Sequence, residues 1–203
     1  MNINEYFEKI YCVNLEKRPD RWAKSDEIFK KHNIQVERFG AIDGYSIENT
    51  TTLLPGEFGL IKTHIEILKI AKENNYKNIL IFEDDVELCD DFSDKFNEYY
   101  NQIPKEWDFL YFGGNHLGSI NQINQNIFRL SYTFTTHAFA INNNLYDELM
   151  LLLKSASKQV DVIYAELHSK YNSYTIKPTM AWQRSDYSDI QGGIMNYDFL
   201  KDI

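Results

Sequence analysis

Ile79-Leu80-Ile81-Phe82 is an unbroken apolar run, and three carboxylates, Glu83-Asp84-Asp85, follow it with no spacer. Short continuous apolar runs suit strands buried on both faces, as parallel strands are. The stretch Asn78 to Phe82 therefore predicts a central strand, with the acidic cluster at its carboxyl end. In open α/β sheets, ligands bind just beyond the carboxyl ends of the strands.

The rest of the chain fits that frame. Ile10 to Leu15 reads as a first strand and Val36 to Ala41 as a second, ending at Asp43-Gly44. A helix is expected from Pro19, which suits a first helical turn, to about His32, with Trp22, Ile28 and Phe29 inward. Gly56 to Asn74 carries the clearest helical stripe, through Phe58, Ile61, Ile65, Leu68 and Ala71. Asp91 to Gln102, Leu145 to Leu153 and Asp161 to Tyr171 read as further helices. Phe109 to Phe112 and Ser173 to Ile176 read as strands, and Ile127 to Leu130 with His137 to Ile141 as a strand pair. Residues 115–126 and the tail from Thr179 read as loops, the tail as a flap able to fold over a ligand. Alternating strands and helices predict an α/β fold, and the 203 residues predict one domain, 1–203.

Composition narrows the partners. The net charge is −9 and there is no basic block, which disfavours nucleic acid. A small polyanion remains possible where a metal and a few arginines converge. Cys12 and Cys89 lack metal-site spacing and read as free thiols. No segment reaches the ~18 apolar residues of a membrane span, and Met1 to Glu5 lacks the pattern of a secretory signal. The expected location is the cytoplasm or the cytoplasmic side of a membrane.

Several groups could carry chemistry. Adjacent carboxylates repel one another, and a divalent cation relieves that repulsion; carboxylate oxygens suit Mn²⁺, Mg²⁺ or Ca²⁺. A solvated acidic turn is the other reading of Glu83-Asp84-Asp85. Asn14, Arg18 and Arg21 follow the first strand, where arginine could grip phosphate or pair with Glu16 and Asp20. Gly56 and Gly59 open the long helix, with Lys62, Thr63 and His64 one to two turns in; His64 is a packed helix residue or a site residue. Asp161 is a helix N-cap or a general base. Gln183, Ser188 and Asp189 lie in the tail.

Taken in order, these pieces resemble glycosyltransferase family 25, which includes bacterial lipooligosaccharide galactosyltransferases and collagen hydroxylysine galactosyltransferases. The resemblance begins at Ile10-Tyr11-Cys12-Val13-Asn14-Leu15-Glu16-Lys17-Arg18-Pro19-Asp20-Arg21. It continues through Ala41-Ile42-Asp43-Gly44, Gly56 to Thr63-His64, Ile81-Phe82-Glu83-Asp84-Asp85-Val86, Trp107-Asp108 to Gly113, Thr136-His137-Ala138-Phe139, Val160-Asp161 and Ser188-Asp189-Ile190.

The resemblance implies a GT-A type nucleotide-sugar-binding fold and inverting transfer of galactose or glucose from a UDP-sugar to a glycan or hydroxylysine-type acceptor. It implies Mn²⁺ or Mg²⁺ at Glu83 and Asp85, with Asp84 beside the donor. Asn14, Arg18, Arg21, Asp43, Gly44, Lys62, His64, Gln183, Ser188 and Asp189 would serve the donor, and Asp161 would be the catalytic base. The late metal-ligating histidine of many such enzymes has no counterpart after His168, so Gln183, Asp189 or water would take its place. A nucleotide-sugar-binding module without efficient transfer is the alternative. A phosphate-ester enzyme is disfavoured, because no Asp nucleophile motif follows the first strand.

Overall fold

The structure, a computed structural model, describes residues 1–190 and 192–202. Its elements run α1 (Ile3–Tyr6), β1 (Lys9–Leu15), α2 (Pro19–Lys31), β2 (Glu37–Ala41), α3 (Pro55–Glu73), β3 (Asn78–Glu83), β4 (Val86–Leu88) and α4 (Phe92–Tyr99). They continue β5 (Phe109–Tyr111), β6 (Asn115–His116), β7 (Ile120–Gln122), β8 (Ile127–Leu130), β9 (Thr133–Phe134), β10 (Ala138–Asn142), α5 (Tyr146–Lys154) and α6 (Val160–Ala165). The chain closes with β11 (Ser173–Ile176), β12 (Ala181–Gln183), β13 (Asp186–Ser188), β14 (Gly193–Met195) and a 3₁₀ turn at Asp198–Asp202.

An eight-stranded sheet, ordered β2-β1-β3-β10-β5-β11-β8-β7, forms the centre. Only β10 and β8 run against the other six strands. This is the expected α/β arrangement, a mostly parallel sheet flanked by helices. β3 sits between β1 and β10, and Ile79, Leu80, Ile81 and Phe82 are all fully buried. Cys12, Leu80 and Phe82 face one core with Phe29 of α2 and Phe92 and Phe96 of α4. Tyr11, Ile79 and Ile81 face the other, with Ile61 and Leu68 of α3, Leu149 of α5 and Tyr164 of α6. Truncating a buried phenylalanine such as Phe82 to Ala costs about 3–5 kcal/mol.

Several expectations are corrected. β8 and β10 are not paired with each other: β8 lies between β11 and β7, and β10 between β3 and β5. The stretch 115–126 is not simply a loop, because β7 adds an edge strand against β8. The last predicted helix is short: α6 ends at Ala165, and turns follow to Tyr171. The tail has pairing of its own: β12 lies antiparallel to β4, and β13 and β14 form a hairpin. Met180, Ala181 and Leu200 are fully buried, which anchors the segment at both ends.

On α2 the buried positions are Arg21, Ser25 and Phe29, while Trp22 and Ile28 are half-buried. Two of the three inward residues are polar. The reason lies in what they face, the acidic turn after β3.

Candidate active site

The carboxyl ends of β1, β2 and β3 open on a cavity of about 540 Å³, a size that suits a small-molecule ligand. Asp43, Gly44 and Tyr45 line one wall, Arg21, Asp84 and Asp85 the floor, and Thr135 and Asp161 a further side. Glu83, Gln183, Ser188 and Asp189 also line it.

The first wall depends on two glycines. A Cβ on Gly44 would meet the Pro55 carbonyl oxygen at 1.7 Å, and one on Gly59 would meet the Ile42 carbonyl oxygen at 2.4 Å. The loop after β2 therefore lies backbone to backbone against the start of α3. Thr63 secures it, donating to the Gly59 carbonyl at 2.8 Å and accepting from the Ile42 N–H at 2.9 Å. Lys17 pairs with Asp43 at 2.6 Å and sits over the Tyr45 ring. A Cβ on Gly56 would meet Ile190 Cα at 2.9 Å. This glycine admits the tail.

The acidic turn is gripped from two sides. Arg21 lies 3.1 Å from Asp84 and 2.7 Å from Asp85. Ser25 donates to the Asp84 carbonyl at 2.8 Å. From the tail, the Arg184 guanidinium donates to the same carbonyl at 3.0 Å, and the Arg184 backbone N–H donates to the Asp85 carbonyl at 2.7 Å. The Asn14 amide donates to Asp84 and to the Arg18 carbonyl, while its oxygen accepts from Arg38 at 2.9 Å. Asn14 thus orients Asp84 without lining the cavity. Arg18 pairs with Asp20 at 3.0 Å and with Asp189, and Arg21 lies 3.8 Å from Asp189.

Glu83 has a different setting. Its carboxylate accepts from the Thr136 hydroxyl at 2.6 Å. Burial, with the negative charge of Asp85 beside it, pushes its pKa up to about 8. Asp84 is pushed to about 6 by burial, against the opposing pull of Arg21. Asp161 is raised by burial, although the N–H groups of Thr135 and Val162 donate to it at 3.4 Å and 2.8 Å.

Four predicted donor residues do not line the cavity: Asn14 and Arg18, held in the pairings just described, and His64 and Lys62. His64 is fully buried in the core, bonded through Nδ1 to the Tyr164 hydroxyl at 3.0 Å and stacked on Phe139. Burial lowers its pKa to about 3. Lys62 lies over the Phe58 ring at 4.9 Å and does not line the cavity. Helical spacing alone could not tell which face of α3 the cavity would use.

Other residues emerge only from the fold. Thr136, Arg184 and Ser25 hold the acidic cluster; of these only Thr136 stands in a stretch of the family resemblance, and there it had no assigned role. His137 is fully buried beside the cluster: its carbonyl accepts from the Glu83 N–H at 3.0 Å, and its Nε2 lies 3.2 Å from the Ala181 carbonyl. Strand pairing between β10 and β3 puts it there, a juxtaposition of residues far apart in sequence.

Among the described residues no group of three or more His, Cys, Asp or Glu has the geometry of a metal site. The donor chemistry nevertheless fits a hard divalent cation. Asp85 Oδ1 is a buried oxygen without a hydrogen-bond partner among the described residues, on a side chain that lines the cavity. Mg²⁺ and similar ions commonly use one or two carboxylates and complete their shell with substrate phosphates and water. No helix among the described residues is long and apolar enough to cross a membrane.

Comparison with known proteins places this chain in a family. A glycosyltransferase 25 family member of Drosophila melanogaster is 26% identical over 179 residues, 76% of this chain and 28% of the relative. Procollagen galactosyltransferase 2 of Mus musculus is 26% identical over 130 residues, 53% of this chain and 21% of that protein. The inactive glycosyltransferase 25 family member 3 of Homo sapiens is 22% identical over 129 residues, 53% of this chain and 22% of that protein. The chain thus spans less than a third of the length of these relatives. The family model described as glycosyltransferase family 25 (LPS biosynthesis protein) matches residues 7–200, and the chain belongs to that family.

Proposed function

We propose that this chain is an inverting glycosyltransferase that moves a hexose, galactose or glucose, from a UDP-sugar to a hydroxyl of a glycan or hydroxylysine-type acceptor. The observation that carries this reading is one cavity lined by both kinds of group the reaction needs. Arg21 and the oxygen-rich acidic turn suit a diphosphate with its metal, and the half-buried carboxylate of Asp161 suits a base. Family membership and the galactosyltransferase among the relatives support the sugar class. The fold expected for this chemistry is the GT-A type.

The steps follow from the residues present. Asp43, Gly44 and Tyr45 bound the end where the nucleoside would lie. Arg21 would hold the diphosphate in place, with Ser188 and Asp189 of the tail closing over it. Asp161 takes the proton of the acceptor hydroxyl. The acceptor oxygen forms its bond to the anomeric carbon as the bond from that carbon to the diphosphate breaks, and UDP leaves with the electron pair. Mn²⁺ or Mg²⁺ on Asp85, with Glu83 or Asp84 near, would supply charge neutralisation on the departing diphosphate.

A second reading is a nucleotide-sugar-binding module without transfer. It is favoured by the Arg21 pairing that already engages Asp84 and Asp85, and by a relative named inactive. Calorimetry with UDP, with and without Mn²⁺, on the parent and Asp85→Asn tests the donor site common to both. Metal-dependent binding lost in Asp85→Asn is expected; equal binding by both proteins would refute the metal assignment. UDP release in turnover then separates transferase from module.

A further inference from the structure

Among the described residues, three non-glycine positions have positive φ: Asn33, Asn75 and Thr135. Asn33 and Asn75 each follow the C-cap of a helix, α2 and α3, where a left-handed asparagine is a common terminator. Thr135 is different. It joins β9 to β10 at φ 71°, in a region that β-branched residues avoid. A turn that only needed this conformation would be made more easily with Gly or Asn.

The threonine has three further properties. It lines the cavity. Its N–H donates to Asp161 at 3.4 Å, while the next residue, Thr136, donates to Glu83 at 2.6 Å. Its own hydroxyl oxygen is buried and has no hydrogen-bond partner among the described residues. An unpaired buried hydroxyl is unfavourable unless something else satisfies it. Strain held at a cavity wall is a pattern of ligand-binding positions.

We propose that Thr135 is a sugar-binding residue, its hydroxyl pairing with a hydroxyl of a sugar in the cavity. The hydrogen-bonding groups around it select this ligand class. Glu83 and Asp161 flank the turn, and their carboxyl oxygens suit the hydroxyls of a neutral polyol. The phosphate end lies instead with Arg21. The proposal rests on the nucleotide-sugar reading above, and it covers the two sugars such a cavity would hold, the transferred hexose and the acceptor.

Calorimetry on the full chain with Mn²⁺ tests it in two arms. The first compares UDP with UDP-galactose and UDP-glucose, so that the gain from the hexose is read by difference. The second titrates free galactose into the protein saturated with UDP. Thr135→Val keeps the side-chain shape and removes the hydroxyl; Thr135→Ser restores the hydroxyl. The expected result is a loss of about tenfold in sugar-dependent affinity for Thr135→Val, with unchanged UDP affinity and a melting temperature no lower than the parent's, and recovery of the sugar affinity in Thr135→Ser. Loss in the first arm assigns the contact to the transferred hexose, and loss in the second to the acceptor. A parent that binds UDP-hexose and a Thr135→Val variant that binds sugar equally in both arms overturn this proposal alone. A parent that binds neither UDP nor UDP-hexose overturns the donor reading and this proposal with it.

Discussion

The Arg21 guanidinium lies 2.7 Å from the Asp85 carboxylate and 3.1 Å from that of Asp84, with all three side chains largely buried. One cation therefore lies between two carboxylates in the free chain and offsets part of their charge. Burial alone would lower the arginine's pKa, but the charges of Asp85 and Asp84 outweigh it and hold the group raised. A metal bringing a diphosphate to Asp85 would redistribute this arrangement, leaving Arg21 free to turn to the phosphates.

Removing Arg21 leaves two buried carboxylates without their main counter-charge. Breaking a buried pair in this way costs about 3–5 kcal/mol. Arg21→Ala is expected to melt well below the parent in a thermal denaturation, and added Mn²⁺ is expected to recover part of the difference. A melting temperature equal to the parent's would show that the pairing carries no stability.

Glu83 makes stability depend on pH. Its folded-state pKa is raised, so the folded chain holds this proton more tightly than the unfolded chain. The associated stability is present in full below the ordinary value of 4.5 and is lost as pH rises towards about 8. Glu83→Gln is therefore expected to flatten the fall in melting temperature across that window and to melt above the parent at its alkaline end. An identical pH profile for the two proteins would contradict the burial of an acid at this position.

Asp189 ties the tail to Arg18 and lies near Arg21. A partly exposed pair of this kind is worth about 0.2–1 kcal/mol. Asp189→Asn is expected to loosen the segment, so that chymotrypsin cleaves after the exposed Tyr187 about twofold to fivefold faster. An unchanged cleavage rate would mean that Leu200, the Arg184 contacts and the β12–β4 pairing hold the tail without Asp189.

How much of this was legible in the sequence depends on the range of the contacts. The apolar run before Glu83, and the alternation of strand and helix, announced the α/β sheet and the position of the acidic turn, because both are local patterns. The order of the sheet was not legible: β8 and β10 look alike as short strands, and only long-range packing separates them. The polar inward face of α2 was misread for a related reason. Amphipathic periodicity assumes an apolar partner, whereas Arg21 and Ser25 face carboxylates. Thr136 and His137 stood in the family resemblance without a role, and Arg184 carried no signal by spacing, since strand pairing and the docked tail bring them to the site. Thr135 was silent too, because a threonine gives no local hint of a positive φ.

Turnover tests the central claim most directly. The parent is incubated with UDP-galactose or UDP-glucose, Mn²⁺, and a hydroxylysine-containing collagen peptide or lipooligosaccharide, and UDP release is followed beside Asp161→Asn. A glycosyltransferase with Asp161 as its base releases UDP in an acceptor-dependent way, and Asp161→Asn loses about 10²–10⁴-fold of that rate while binding UDP-hexose as tightly as the parent. No release of UDP from either donor by a parent that binds both would contradict transfer, and an Asp161→Asn variant as fast as the parent would contradict the assignment of the base.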